Sequence, residues 1–193
     1  MVLSTTNNYS HSKNNLRVAS HDNELKFKRR KQSGQIQIYQ SPYRGSYSYI
    51  VSDSIRNAAL GRKVLLVQLM KGGVKQGIAN AQKLCGNLTW VRSSDTYDQY
   101  SSEEIAKNKN LSSSINQSII EIWNFCKNEL LSDKYNQIIL DEIFLAVDMG
   151  IIDKDDLIST LENRLISGDV ILTGTSIPKT FLLMADQITE LRS

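Results

Sequence analysis

Cysteine, histidine and proline are close to absent from this chain: Cys85 and Cys126, His11 and His21, Pro42 and Pro178 are all that 193 residues contain. The two cysteines lack metal-type spacing and both histidines lie in the N-terminal tail, which argues against a disulfide framework or a structural zinc site. A reducing compartment, the cytoplasm, is the expected setting. No apolar run approaches the roughly 18 residues of a membrane span, so none is expected. The apolar content that is there, 40% of residues, suits one globular domain with a full core.

Net charge is scarce too, except at one end. The formal charge is +3, yet residues 1–31 carry seven basic side chains (Lys13, Arg17, Lys26, Lys28, Arg29, Arg30, Lys31) against Asp22 and Glu24, so the rest of the chain is slightly acidic. This Asn- and Ser-rich head has few large apolar groups and no sustained period. It reads as a flexible basic segment over residues 1–33, followed by a domain over 34–193. Contact of residues 26–31 with nucleic acid or an anionic membrane surface is the functional alternative. No acid precedes Asp22, which leaves an organellar transit peptide open.

From Gly34 onward strand and helix patterns alternate. Ile36 and Ile38 alternate as a strand that runs into a turn and then a helix ending near Gly61. Val64–Leu69 is an almost unbroken apolar run, as a parallel strand buried on both faces requires, and Lys71-Gly72-Gly73 closes it. A short helix is expected over Lys75–Leu84, a strand over Asn87–Arg92 and a loop over Ser93–Ser102. Leu111, Ile115, Ile119, Ile122, Cys126 and Leu130 recur at helical spacing with Trp123 near the buried side. Asn136–Glu142 is the next strand, Leu157, Leu161 and Leu165 form a helical stripe, and Asp169–Gly174 is another strand. Pro178 suits the first turn of a last helix through Ala185, and Gln187–Leu191 reads as an edge strand. Five or six strands alternating with helices predict a three-layer α/β sandwich with a mainly parallel sheet.

Two places carry candidate chemistry. A strand-to-helix turn in such a sheet aims backbone N–H groups and the positive end of a helix at an anionic ligand, and a working phosphate loop reads G-x-x-x-x-G-K-[ST]. Here that run is Ser41-Pro42-Tyr43-Arg44-Gly45-Ser46-Tyr47-Ser48. Gly45 matches the second glycine, but Ser41, Ser46 and Tyr47 replace the first glycine, the lysine and the hydroxyl that binds Mg²⁺. Tyr39, Tyr43, Tyr47 and Tyr49 cluster around it, a composition that suits a protein contact surface, space-filling or stacking on a planar ligand. The second place is Asp141-Glu142 at the end of a buried strand. An acid there holds Mg²⁺ beside a phosphate loop; alternatively Asp141 caps the helix that begins near Ile143.

Several blocks resemble the corrinoid adenosyltransferases, which move the 5′-deoxyadenosyl group of ATP onto the cobalt of a reduced corrinoid. Val67-Gln-Leu-Met-Lys-Gly72 is similar to that family's VQFIKG, Leu88-Thr-Trp90 to FTW, and Tyr135-Asn-Gln-Ile-Ile-Leu-Asp-Glu142 to YDLVVLDE. Leu172-Thr-Gly174 resembles the start of LTGR and Ala185-Asp-Gln-Ile-Thr-Glu190 resembles ADLVTE. The blocks stand in family order over about 160 residues, from Gly34 to the C-terminus.

The resemblance implies a phosphate-loop NTPase-like fold and a homodimer. Its nucleotide contacts fall on Ser41, Arg44, Gly45, Ser46, Tyr47, Ser48, Lys71, Glu142 and Thr175, its Mg²⁺ ligands on Asp141 and Ser48, and its corrinoid contacts on Leu88 and Trp90. Alternation along a half-buried strand also accounts for the last two residues. The departures concentrate at the chemistry: GNGKGKTT is degenerate here, and Thr175 stands for the arginine of TGR. Losing two cations that each stabilise expelled triphosphate by a few kcal/mol slows transfer by on the order of 10³ to 10⁵. The expected function is therefore a catalytically impaired binding or regulatory protein with weakened ATP and Mg²⁺ binding and corrinoid binding retained. Its partner would be a corrinoid, a nucleotide or a protein met by the tyrosine turn. The rival is an active enzyme that uses Arg44 and Ser48 in place of the missing pair.

Overall fold

A computed structural model describes residues 34–44, 48–72, 77–94, 109–165 and 167–191, with the side chains of residues 109–111 excepted. The basic head over residues 1–33 and the loop centre Gly45–Tyr47 lie outside the described residues, as does most of the expected loop over Ser93–Ser102.

Alternating apolar residues build the first strand, β1 (Ile36–Gln40), with Ile36 and Ile38 buried. A turn through Arg44 precedes helix α1 (Ser48–Ala59), and β2 (Val64–Gly72) follows, buried on both faces from Val64 to Met70. A 3-10 turn (Ile78–Asn80) leads into β3 (Gln82–Leu84) and β4 (Leu88–Ser93). Helix α2 (Lys109–Leu130), β5 (Gln137–Asp141), and the short helices α3 (Ile143–Asp148) and α4 (Lys154–Glu162) come next. The chain closes with β6 (Asp169–Gly174), α5 (Lys179–Met184) and β7 (Gln187–Glu190).

The strands form one sheet in the order β3-β4-β2-β5-β6-β1-β7, parallel throughout except for β3, which runs antiparallel to β4. Because side chains alternate along a strand, β2 sends Leu65, Val67 and Leu69 to one face and Val64 and Leu66 to the other. The first face packs against α2, α3, α4 and α5 through Ile115, Ile119, Trp123, Phe144, Leu157 and Phe181. The second packs against α1 through Ile50 and Ala58, with Leu88, Ile139 and Ile171. Helices on both faces of a mostly parallel sheet are the expected α/β sandwich, with seven strands where five or six were expected.

Three local expectations need correction. Within the segment expected to be helical, Gly77 takes φ 100 and Gln82–Leu84 is a strand, because pairing with the open edge of β4 outweighs a weak helical period. Leu165 lies beyond α4 and is exposed, its N–H bonded to the Leu130 carbonyl at 3.1 Å. The position before α3 is held by Glu142, with φ 58 and no side-chain cap, so Asp141 is no N-cap. Close backbone approach at the amino end of the sheet requires glycine: a Cβ on Gly168 would sit 2.2 Å from the Asn136 carbonyl oxygen.

Candidate functional site

Register alone lines up a row of polar residues at the carboxyl edge of this sheet. Arg92 pairs with Gln68, Gln68 with Asp141, Leu140 with Leu172 and Gln40 with Gly174, so the ends of β4, β2, β5, β6 and β1 stand side by side. Hydrogen bonds then join them. Asp141, 2% exposed, accepts from the Thr173 hydroxyl at Oδ1 (2.9 Å), and at Oδ2 from the Gln68 amide (2.8 Å) and the Lys71 ammonium (3.2 Å). The Glu142 backbone N–H donates to Thr173 Oγ1 at 2.7 Å. That bond pins Glu142 in the left-handed region, which side-chain-bearing residues rarely adopt.

The strained backbone turns the buried Glu142 carboxylate toward the β1–α1 turn. There the Arg44 guanidinium donates through Nε and Nη2 to its two oxygens, each at 3.0 Å, a bidentate ion pair. The start of the turn is bonded across to the end of β6: Ser41 N–H reaches the Gly174 carbonyl (3.3 Å) and Gln40 Nε2 reaches the Thr175 carbonyl (3.2 Å). Ser48 opens α1, exposed, with its carbonyl accepting from the Ser52 hydroxyl. Tyr43 and Tyr49 are 63% and 60% exposed. Tyr39 is half-buried, and burial first, then the charges of Tyr49 and Asp53, push its hydroxyl pKa up against an opposing bond to Thr189.

At the β4 end, the Trp90 indole N–H donates to Gln68 Oε1 at 3.0 Å, and Arg92 Nε donates to the same oxygen at 2.9 Å. The Arg92 guanidinium also lies 4.6 Å from the Trp90 ring centroid. Leu88 is elsewhere: it pairs with Val64 at the amino end of β4 and is fully buried in the α1-side core.

Of the residues singled out in the sequence, Arg44, Lys71, Asp141, Glu142 and Trp90 are thus joined along one edge. Thr175 adjoins it through its carbonyl, and Leu88 does not reach it. Gly45, Ser46 and Tyr47 lie outside the described residues. Sequence reasoning passed over Gln68, Thr173 and Arg92. Gln68 had a readable signal, a lone amide inside the run Val64–Met70, where a buried polar group must have partners.

Both Asp141 oxygens already accept hydrogen bonds, Oδ2 from the Lys71 ammonium as well as the Gln68 amide, so Mg²⁺ on this carboxylate would require Lys71 to give way. Among the described residues no cluster of three or more His, Cys, Asp or Glu side chains could hold a metal ion. Nor is any helix among them long and apolar enough to cross a membrane.

The sheet, its helices on both faces and the polar row at its carboxyl edge define an α/β protein consistent with the phosphate-loop NTPase-like adenosyltransferases. The chain belongs to the ATP:corrinoid adenosyltransferase family BtuR/CobO/CobP, whose model matches residues 32–193. It is similar to the corrinoid adenosyltransferase of Escherichia coli K12, 23% identical over 167 residues that cover 82% of this chain and 76% of that one. An uncharacterized protein of Nostoc sp. strain PCC 7120 is 24% identical over 172 residues, 83% of this chain but 44% of the Nostoc protein, so the match spans less than half of that relative.

Proposed function

We propose that this chain is a corrinoid-binding member of its family that has lost efficient ATP-dependent adenosyl transfer and acts as a binding or regulatory protein. The observation that carries the reading is the bidentate pairing of Arg44 with Glu142. Arg44 is the one cation in the turn Ser41–Ser48, and the replaced phosphate lysine leaves it as that turn's source of positive charge. Its guanidinium is matched by Glu142, as Lys71 is by Asp141, so two cations and two anions balance. Triphosphate entering the turn would meet buried carboxylates whose countercharges are already engaged. Arg92 does not supply the deficit: β4 lies four strand spacings from β1, about 19 Å at roughly 4.8 Å each, far beyond the reach of one side chain.

Corrinoid binding rests on family membership and on the half-buried Trp90, whose ring stands beside that edge. The same reading has the protein act in the cytoplasm as a homodimer, with exposed Tyr43 and Tyr49 available to a protein partner. Anaerobic mixing with ATP, Mg²⁺ and a chemically reduced corrinoid is the deciding experiment. No adenosylated corrinoid should form, while calorimetry with the corrinoid alone should give a binding isotherm. Accumulation of the adenosyl product would overturn the loss of transfer, and a flat isotherm would overturn the binding role.

A further inference from the structure

Gln68 sits midway along β2, an inner strand of the sheet, is 2% exposed and makes three hydrogen bonds. Its orientation is forced. Trp90 Nε1 and Arg92 Nε can only donate, so the amide oxygen must face β4, which leaves the amide nitrogen to donate to Asp141. A flipped amide would set its NH₂ against both donors and its oxygen against the carboxylate.

We propose that Gln68 is the positioning residue that makes the Asp141–Lys71 pair and the Trp90–Arg92 stack a single unit. Through it, the state of the acid on β5 is transmitted to the aromatic surface on β4. The line of bonds continues from Asp141 through Thr173 to Glu142 and Arg44, so it spans the sheet edge from the β1 turn to β4. Hydrogen-bonded chains of this kind polarise and orient one another where they are buried, as at Gln68, Asp141 and Thr173. The inference goes beyond the proposed function by assigning the residue that shapes the Trp90 surface, and it rests on that reading only for the identity of the ligand.

The first arm of the test needs no ligand. In ¹⁵N-labelled protein the two tryptophan indole N–H resonances are followed, Trp123 serving as the internal reference because its N–H is bonded to Asp156 on the opposite face. Lys71→Met, a change at a partly exposed side chain, should shift the Trp90 resonance and leave Trp123 in place. In a Gln68→Met background, which keeps the volume and removes the amide, the same Lys71→Met change should leave Trp90 unmoved. An unshifted Trp90 in the first background, or an equal shift in both, overturns the proposal.

The second arm measures hydroxocobalamin affinity. Gln68→Met should weaken it by about two- to thirty-fold, with no further loss when Trp90→Phe is added. Additive losses would overturn the assignment. If wild-type protein binds no corrinoid, the functional reading fails while the resonance arm still decides the role of Gln68. Should Gln68→Met fail to fold, Gln68→Glu, which keeps the acceptor and sets a second carboxylate against Asp141, should displace the Trp90 resonance; an unmoved one overturns the proposal.

Discussion

Glu142 concentrates the conflict between local preference and site geometry. Its φ of 58 costs a side-chain-bearing residue on the order of 1–2 kcal/mol, offset here by the Thr173 bond and by Arg44. Glu142→Ala and Glu142→Gly both lose the ion pair, but glycine relieves the backbone. Urea denaturation should therefore find Glu142→Gly more stable than Glu142→Ala by about 1 kcal/mol. A second carboxylate is poised differently. Burial alone would raise the pKa of Asp156, but hydrogen bonds from the Trp123 indole (2.7 Å) and the Lys127 ammonium (3.0 Å) outweigh it and hold the group below its usual 3.8. A depressed folded-state pKa contributes stability that is present above the unfolded value and lost as pH falls through the folded one. Melting temperature should drop below about pH 4 in the wild type, and part of that drop should vanish in Asp156→Asn.

Among the elements, β5 and β6 are tightly constrained, because backbone meets backbone where they begin. The Asp169 N–H donates to the Asn136 carbonyl at 3.0 Å, and a Cβ on Gly168 would meet that carbonyl oxygen at 2.2 Å, with no flexible side chain to give way. Gly168→Ala should cost on the order of 3 kcal/mol or more, read as a lower urea midpoint at unchanged slope. Most elements were legible from the sequence: the runs Val64–Leu69 and Asp169–Gly174 and the stripe Ile115–Leu130 all carry periods that only a buried strand or a one-faced helix explains. Strand β3 was not, because its three residues are all exposed and carry no pattern; only the open edge of β4 makes them a strand. At the site, strand-end residues such as Asp141 and Glu142 could be picked out by position. Gln68 was marked by the run around it as a buried amide in need of partners, but which partners it and Thr173 meet was not legible, since they come from β2 and β6 and reach Asp141 only through register.

At the scale of the whole molecule, the core is divided by the sheet into a large cluster under four helices and a smaller one under α1. Cys126 is fully buried in the larger cluster, and burial pushes its thiol pKa far up, whereas Cys85 is exposed. A thiol reagent such as DTNB should therefore titrate one fast equivalent in native protein and a second only after denaturation. The described core draws on residues from Ile36 to Ala185. Removal of residues 1–31 should accordingly leave a single cooperative thermal transition, which calorimetry would check.

Taken alone, the order of amino acids determined the alternation of strand and helix, the α/β class, the altered turn after β1 and the acids at the end of β5. Each of these follows from spacing or residue type along a short stretch of chain. Only the folded molecule decided that Arg44 is matched by Glu142, that Asp141 is engaged on both oxygens, and that Gln68 joins it to Trp90. Those contacts link residues that are 22 to 98 positions apart. Strand order and register, set by burial of two separate cores, bring them within hydrogen-bonding distance.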